Sequence, residues 1–106
     1  MIPRRGEIWW ATLPEPSGHR PVVLISRNAL YPTGAHITVA EVTTAIRLNR
    51  TEVALGKADG LARPCVINTA QLFTMSQDRL DTQITSLSVS KRAALDAALA
   101  FALGLD

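Results

Sequence analysis

Short runs of apolar and β-branched residues, separated by clusters of proline, glycine and polar residues, make up most of the chain. Runs of this kind are typical of β-strands. They predict strands over Gly6–Leu13, Pro21–Ser26, His36–Thr44, Thr51–Leu55, Cys65–Asn68 and Gln71–Thr74. The second run is continuously apolar, so we expect a central strand that is covered on both faces. The segment Asn28–Gly34 contains Pro32 and is expected to form only a turn.

The C-terminal part of the chain has the residue spacing of a helix. Residues Lys91–Leu103 are mostly strong helix formers, Ser88 is a candidate N-cap, and Gly104 occupies the usual place of a C′ glycine. The apolar side of this helix is formed by Leu95, Leu99 and Ala102, with Phe101 and Leu103 beside them. We expect the helix to pack on the sheet. The fold class is therefore mainly β: a small antiparallel barrel of five to six strands with a C-terminal α-helix.

Length and composition are those of one globular domain over residues 1–106, with 47% hydrophobic and 19% charged residues. The longest apolar run, Ala97–Leu103, is too short to cross a bilayer, and Met1–Trp10 lacks the features of a signal peptide. We therefore expect a cytoplasmic protein without membrane association. The single cysteine, Cys65, excludes an internal disulfide, and we expect it to be buried and unreactive because it lies in an apolar strand.

The net charge of +2 is small, but nine of the eleven basic residues are arginine, and the basic excess lies before Pro64. Arginine suits phosphate groups, which favours an anionic partner such as a nucleic acid. A GC-rich genome would give the same arginine bias, so charge alone does not decide the function.

The chain lacks the residue patterns of metal, nucleotide and serine-hydrolase sites. His19 and His36 are 17 residues apart, and neither has a carboxylate or thiol at ligand spacing. No glycine-rich phosphate loop and no Gly-x-Ser-x-Gly motif occurs. We therefore expect no metal and no cofactor.

Polar and cationic residues are found at the ends of three predicted strands. His19 and Arg20 precede the second strand, Thr43 and Thr44 end the third, and Gln71 begins a later one. Each of these residues is by itself typical of a turn or a strand end. They indicate a functional site only if the fold brings them together.

The order of the motifs along the chain is more specific than any one of them. They are Arg5-Gly-Glu-Ile-Trp-Trp10, Arg20-Pro-Val-Val-Leu-Ile-Ser26, Ile37-Thr-Val-Ala-Glu-Val-Thr-Thr44, Gly60-Leu61, Gln71-Leu-Phe-Thr74, Arg79-Leu80 and a helix ending in Leu103-Gly-Leu105. From Arg4 to Leu105 this order resembles the MazF/PemK family of toxins. The resemblance implies an SH3-like barrel of the CcdB/PemK type, a homodimer, and a metal-independent endoribonuclease that cuts single-stranded RNA at short sequences. It also implies a cognate antitoxin, whose acidic, partly disordered segment covers the RNA-binding face.

The resemblance also implies residue roles. The arginine of the family's Arg-Pro-Val motif is Arg20 here, and the threonine that ends the third strand is Thr43. In the family's usual reaction the ribose 2′-hydroxyl attacks the neighbouring phosphate and leaves a 2′,3′-cyclic phosphate and a 5′-hydroxyl. Arg20 would stabilise the developing charge and Thr43 would orient a reacting oxygen. Neither side chain is an effective base, so the proton acceptor is unassigned.

His19 is one candidate for that acceptor, since histidine exchanges protons near neutral pH. Neighbouring strand residues point to opposite faces, so His19 shares a site with Arg20 only if it lies in the preceding loop. Further candidates for catalysis or RNA binding are Thr44, Gln71, Trp10, Arg27, Arg47, Arg50 and Arg79. By the same alternation, we expect Trp9 or Trp10 to pack in the core and the other to lie at a rim, an interface or an RNA groove.

The chain departs from the family pattern in two places. The loop Pro14–His19 is short, and Asn68 and Ala70 replace an arginine and an acidic residue found near Gln71 in other members. These departures leave two alternatives open. One is a non-enzymatic toxin that binds DNA gyrase, as related CcdB-type toxins do, and the other is an inactive barrel that serves only as a binding module.

Overall fold

A computed structural model describes residues 2–106 and places their strands in one six-stranded sheet followed by a helix. The elements are β1 Glu7–Thr12, β2 His19–Leu24, β3 Ile37–Thr43, β4 Glu52–Leu55, β5 Cys65–Met75, β6 Leu80–Ser86 and α1 Val89–Leu103. The order across the sheet is β4-β5-β3-β2-β1-β6, and every neighbouring pair is antiparallel. The sheet curls into a half-barrel, which confirms the mainly β fold with a C-terminal helix.

Apolar side chains are buried on both faces of this curled sheet. One cluster lies under α1 and includes Ile8, Val23 and Leu95, whereas the other includes Val22 and Leu24 on the opposite face. Because β2 contributes to both clusters, the expectation of a central strand covered on both sides is confirmed.

The helix has the predicted caps. Ser88 Oγ accepts a hydrogen bond from the backbone N–H of Lys91 at 3.2 Å, and Gly104 adopts the left-handed conformation with φ 71°. Leu95, Ala98 and Leu99 are its buried residues, which fixes α1 against the sheet. Within residues 2–106, no helix has the length and apolarity needed to span a membrane. The segment Met1–Trp10 is the one in which no signal peptide is expected, and its first residue, Met1, lies outside the described residues.

Four local predictions were wrong. The strands expected at Cys65–Asn68 and Gln71–Thr74 form one long strand, β5, which bulges between its two halves. β2 covers His19–Leu24 instead of Pro21–Ser26 because its pairing with β1 extends to His19. Asn28–Thr33 is a 3₁₀ helix and not only a turn. β6 was not predicted, because it is an edge strand whose side chains are exposed or half-buried and mostly polar.

Candidate active site

The pairing of β2 with β3 brings Arg20 and Thr43 together. Val22 is paired with Glu41, so Arg20, two residues before Val22, lies level with Thr43, two residues after Glu41. Positions two apart in a strand share a face, so Arg20, Glu41 and Thr43 are on one side of the sheet. They line a cavity of about 390 Å³, here called the polar cavity. Its lining residues are Pro16, Ser17, Arg20, Glu41, Thr43, Ala45, Arg47, Asn68 and Gln71.

A bulge in β5 forms one wall of the polar cavity. Ala40 is paired with Leu72, whereas Glu41 is paired with Asn68, so residues 69–71 of β5 have no counterpart on β3. Bulges of this kind re-aim side chains beside functional sites. Asn68, the last paired residue before the bulge, and Gln71, within it, both lie on the cavity wall.

Thr69 anchors this bulge. Its side chain is 1% exposed, and both its backbone N–H and its hydroxyl donate hydrogen bonds to the Thr51 carbonyl, at 3.0 and 2.6 Å. The Thr69 hydroxyl also lies 3.4 Å from the Ala98 carbonyl of α1. The wall of the polar cavity is therefore tied to the loop before β4 and to the helix.

The Nε of Arg20 is fixed by a hydrogen bond, whereas its terminal nitrogens are available to a ligand. Its Nε donates a hydrogen bond to the Ser17 carbonyl at 2.9 Å and lies 3.8 Å from Glu41 Oε1. Within residues 2–106, its two terminal nitrogens have no hydrogen-bond acceptor. The guanidinium thus has two donor groups for an anion in the cavity, such as the non-bridging oxygens of a phosphate.

The hydroxyl of Thr43 accepts one hydrogen bond and still has its own proton to donate. Its Oγ1 accepts a hydrogen bond from the Ala45 backbone N–H at 3.1 Å, which orients the side chain and leaves the hydroxyl proton available for donation. Gln71 and Arg47 are exposed and line the same cavity. The structure therefore brings together Arg20, Thr43, Gln71 and Arg47 from the candidates predicted by the sequence.

Glu41 is not among those candidates. It is 8% exposed and lies in the wall of the polar cavity, with Arg20 as its nearest cation. A signal was present in the sequence, because Glu41 is the one charged residue in the otherwise apolar and β-branched run of β3. Carboxylates are rarely buried without a partner, so an acidic residue at such a position indicates a site.

His19 lies on the other side of the sheet from Arg20. It is the first residue of β2 and not part of the loop, so the condition set for a site shared with Arg20 is not met. Its ring stacks on Trp10 with centroids 5.0 Å apart and an interplanar angle of 7°, and its Nε2 lies 3.5 Å from Asp81 Oδ2. Trp9 is half-buried against the second cluster, so one tryptophan packs and the other lies at a rim, as expected.

A second, mostly apolar cavity adjoins the first. It has a volume of about 580 Å³ and shares Arg20 and Thr43 with the polar cavity, so these two residues lie between both spaces. Trp10 and Thr44 line it, together with Pro21, Val42, Gly60, Leu61, Ala62, Arg63, Cys65 and Ile84. Cys65 is buried as expected, and burial, followed by the nearby Asp59 carboxylate, raises the pKa of its thiol.

The remaining arginine candidates are outside both cavities. Arg27 is exposed before the 3₁₀ helix, Arg79 Nη1 lies 3.4 Å from the Thr12 carbonyl, and the Arg50 guanidinium lies over the Phe101 ring at 4.0 Å. These side chains do not contribute to the group around Arg20.

Comparisons with known proteins agree with this fold along the whole chain. The family model that describes a PemK-like, MazF-like toxin of type II toxin-antitoxin systems matches residues 4–103. The chain is 34% identical over 103 residues to the probable endoribonuclease MazF5 of Mycobacterium tuberculosis, with 96% of this chain and 94% of that protein covered. It is 33% identical over 111 residues to the endoribonuclease MazF of Staphylococcus epidermidis, with coverages of 97% and 92%.

Solved structures give the same result. The Mycobacterium tuberculosis toxin MazF-mt6 superposes with a TM-score of 0.86 at 33% identity and covers 94% of this chain and 98% of its own. A mycobacterial endoribonuclease in complex with its cognate antitoxin superposes with a TM-score of 0.86 at 29% identity, with coverages of 98% and 97%.

Proposed function

The chain belongs to the PemK-like, MazF-like toxins of type II toxin–antitoxin systems, and from this premise we propose that it is an endoribonuclease that cleaves single-stranded RNA without a metal ion. The observation that carries the proposal is the polar cavity, which is lined both by Arg20, whose terminal nitrogens are free, and by Thr43, whose hydroxyl proton is available. Relatives that are a third identical over nearly their whole length are named endoribonucleases, which supports it.

The proposed reaction is an internal transesterification. The ribose 2′-oxygen forms a bond to the neighbouring phosphorus, the bond from phosphorus to the 5′-oxygen breaks, and the products carry a 2′,3′-cyclic phosphate and a 5′-hydroxyl. Negative charge grows on the non-bridging oxygens, where the two free donor groups of Arg20 stabilise it. The Thr43 hydroxyl orients the attacking or the leaving oxygen.

RNA would enter along the two adjoining cavities. Arg47 and Gln71 line the polar cavity and can contact a neighbouring phosphate or base edge. In the apolar cavity, the exposed face of Trp10 can stack on a base, an interaction worth about 1–3 kcal/mol. Other members carry an arginine and an acidic residue at the places of Asn68 and Ala70. In this chain, RNA binding and catalysis therefore depend on the residues named above.

We propose that the protein acts as a homodimer and that an acidic, partly disordered antitoxin segment competes with RNA for this face. The mycobacterial endoribonuclease that was solved in complex with its cognate antitoxin supports an antitoxin as a partner. The alternative of a gyrase-binding toxin is not favoured, because the curated relatives above are named endoribonucleases.

Cleavage of single-stranded RNA in the presence of a chelator tests the proposal. A copy of the substrate with 2′-deoxyribose at the cut site should resist cleavage, and the RNA product should carry a cyclic phosphate. Equal cleavage of both substrates would refute the 2′-hydroxyl mechanism. Poisoned gyrase without RNA fragments would instead favour the gyrase-binding alternative.

Two substitutions test the residue roles. Arg20→Ala should lower the cleavage rate by about 10²-fold or more, because it removes the donors to the developing charge. Thr43→Val should lower it by about tenfold, which corresponds to one hydrogen bond of about 1.4 kcal/mol. Arg27→Ala is the matched control, since Arg27 is an exposed arginine outside both cavities. A wild-type rate from Arg20→Ala would show that the assignment is wrong.

A further inference from the structure

The proposed reaction needs a group that accepts the proton of the 2′-hydroxyl. Arg20 and Thr43 are poor bases, and His19 is not among the residues that line either cavity. We propose that the carboxylate of Glu41 is this general base. The inference rests on the proposed endoribonuclease function and adds to it the residue that takes the proton.

The position of Glu41 suits this role. It precedes Thr43 by two residues on β3 and so shares its face, and its Oε1 lies 3.8 Å from Arg20 Nε. A phosphate bound by the terminal nitrogens of Arg20 is therefore in the same small cavity as this carboxylate. The interruption in the pairing of β3 with β5 begins between Ala40 and Glu41, directly beside it.

The contacts of Glu41 differ from those of a purely structural counter-ion. A carboxylate that serves only to fix an arginine accepts charge-assisted hydrogen bonds of about 2.7–2.9 Å. The contact to Arg20 Nε at 3.8 Å is longer than a hydrogen bond, and that N–H already donates to the Ser17 carbonyl. In the part of the chain that the structure describes, no donor forms a hydrogen bond with the Glu41 carboxylate, so its lone pairs are available to a substrate hydroxyl.

Two other charged groups line the polar cavity with Glu41. Arg20 faces it from β2, and Arg47 faces it from the segment after β3. The other lining side chains, from the loop before β2, the end of β3 and the bulge of β5, are neutral: Pro16, Ser17, Thr43, Ala45, Asn68 and Gln71. Glu41 is therefore the one acidic side chain among the residues that line the polar cavity, and the one whose carboxylate can accept a proton there.

The 2′-hydroxyl proton moves to a Glu41 carboxylate oxygen while the 2′-oxygen bonds to phosphorus. The bond to the 5′-oxygen breaks, and the leaving oxygen takes a proton from a water molecule. Glu41 then returns its proton to solvent, so the enzyme ends the reaction unchanged.

Glu41→Gln is the first test, because it keeps the size of the side chain and removes the base. Single-turnover cleavage should fall by about 10²–10⁴-fold, and the decrease of the wild-type rate at acidic pH should disappear from the variant's pH profile. Binding of a 2′-deoxy substrate analogue should stay within a few-fold of wild type. Glu15→Gln, an exposed glutamate in the β1–β2 loop, is the charge-matched control and should cleave normally.

A second substrate separates a base from an acid. RNA with a 5′-thio leaving group needs no protonation of that group, so Glu41→Gln should remain equally defective on it. Restored cleavage of the thio substrate would overturn the assignment, as would an unchanged pH profile or a loss confined to binding. Glu41→Asp keeps the carboxylate and should retain the acidic decrease at a lower rate, which provides the test if Glu41→Gln does not fold.

Failure of this inference and failure of the proposed function give different results. If the wild-type protein leaves RNA intact, the endoribonuclease function itself is refuted. If the wild type cleaves and Glu41→Gln cleaves at the same rate, only the role of Glu41 is refuted.

Discussion

Gly60, in the turn after β4, lies against β6 so closely that we expect it not to tolerate a side chain. Its φ is +94°, a left-handed conformation that side chains rarely adopt. A Cβ added at this position would lie 2.7 Å from Thr85 Oγ1 and 2.8 Å from Thr85 Cβ. The Cβ of Thr85 is fixed to the backbone of β6, so the contact cannot be relieved by rotation of a side chain alone. Gly60→Ala should therefore be strongly destabilising.

The expected loss combines two costs. The left-handed conformation costs a residue with a Cβ about 1–2 kcal/mol, and overpacking costs about 1–3 kcal/mol. Together they lower the free energy of unfolding by about 2–5 kcal/mol, a large part of the about 5–15 kcal/mol of an ordinary domain. For a domain of this size, that loss lowers the thermal midpoint by about 8 °C or more.

Thermal unfolding of matched variants at one protein concentration measures this loss, since oligomer midpoints depend on concentration. Gly56→Ala is the control: Gly56 has an extended φ of −166°, and nothing lies within 4 Å of its added Cβ. A double-mutant cycle with Thr85→Ala measures the part of the steric cost that Oγ1 and Cγ2 cause, because that change removes these two atoms, keeps the Cβ contact and should recover some of the stability.

A Gly60→Ala variant as stable as Gly56→Ala would refute the reasoning on both strain and contact. An unstable variant that Thr85→Ala fails to improve would refute the contribution of Oγ1 and Cγ2 and would leave the backbone conformation and the contact with the Thr85 Cβ as the causes.

Two further predictions concern buried polar groups. Thr69→Val removes the hydrogen bond from the Thr69 hydroxyl to the Thr51 carbonyl and should lower the free energy of unfolding, measured in urea, by about 1 kcal/mol. Thr82→Val, at an exposed threonine, is the control and should change it by less than about 0.5 kcal/mol. Equal stabilities of the two variants would show that the Thr69 hydrogen bond contributes nothing. Burial raises the pKa of Tyr31, the one tyrosine, to about 12 from 10.0, with smaller opposing effects of Arg5 and Glu7. Because the pKa of Tyr31 is higher in the folded than in the unfolded state, its contribution to the free energy of unfolding is complete below about pH 10 and is lost as the pH rises towards 12. The tyrosinate absorbance of the folded protein should therefore have its midpoint near pH 12. A midpoint at the ordinary pKa of tyrosine would contradict this expectation.

Local signals in the sequence were sufficient for the helix and for most strands. Ser88 and Gly104 act through bonds to residues close in the chain, so capping could be predicted without knowledge of the fold. The β-branched runs gave β1 to β4 within a few residues of their observed ends. β6 was missed because an exposed edge strand has no apolar run to reveal it.

The site depended on register, which the sequence does not show directly. Arg20 meets Thr43 because Val22 pairs with Glu41, and the same pairing places Glu41 in the cavity wall. The continuity of β5 also depends on its partner, since the bulge forms only where β3 fixes both halves of the strand. β2 begins at His19, two residues earlier than predicted. His19 is therefore a strand residue, and its side chain points to the face opposite that of Arg20.

The β5 bulge also affects how this protein can tolerate changes in length. Inserting one residue in a regular strand turns every later side chain to the other face. Residues 69–71 have no partner on β3, and the pairs on either side, Ala40 with Leu72 and Glu41 with Asn68, hold their registers independently. Residues can therefore be inserted or deleted at positions 70 and 71, after the buried anchor Thr69, while the two halves of the strand stay in place. This part of the wall of the polar cavity can be rebuilt without redesigning the core.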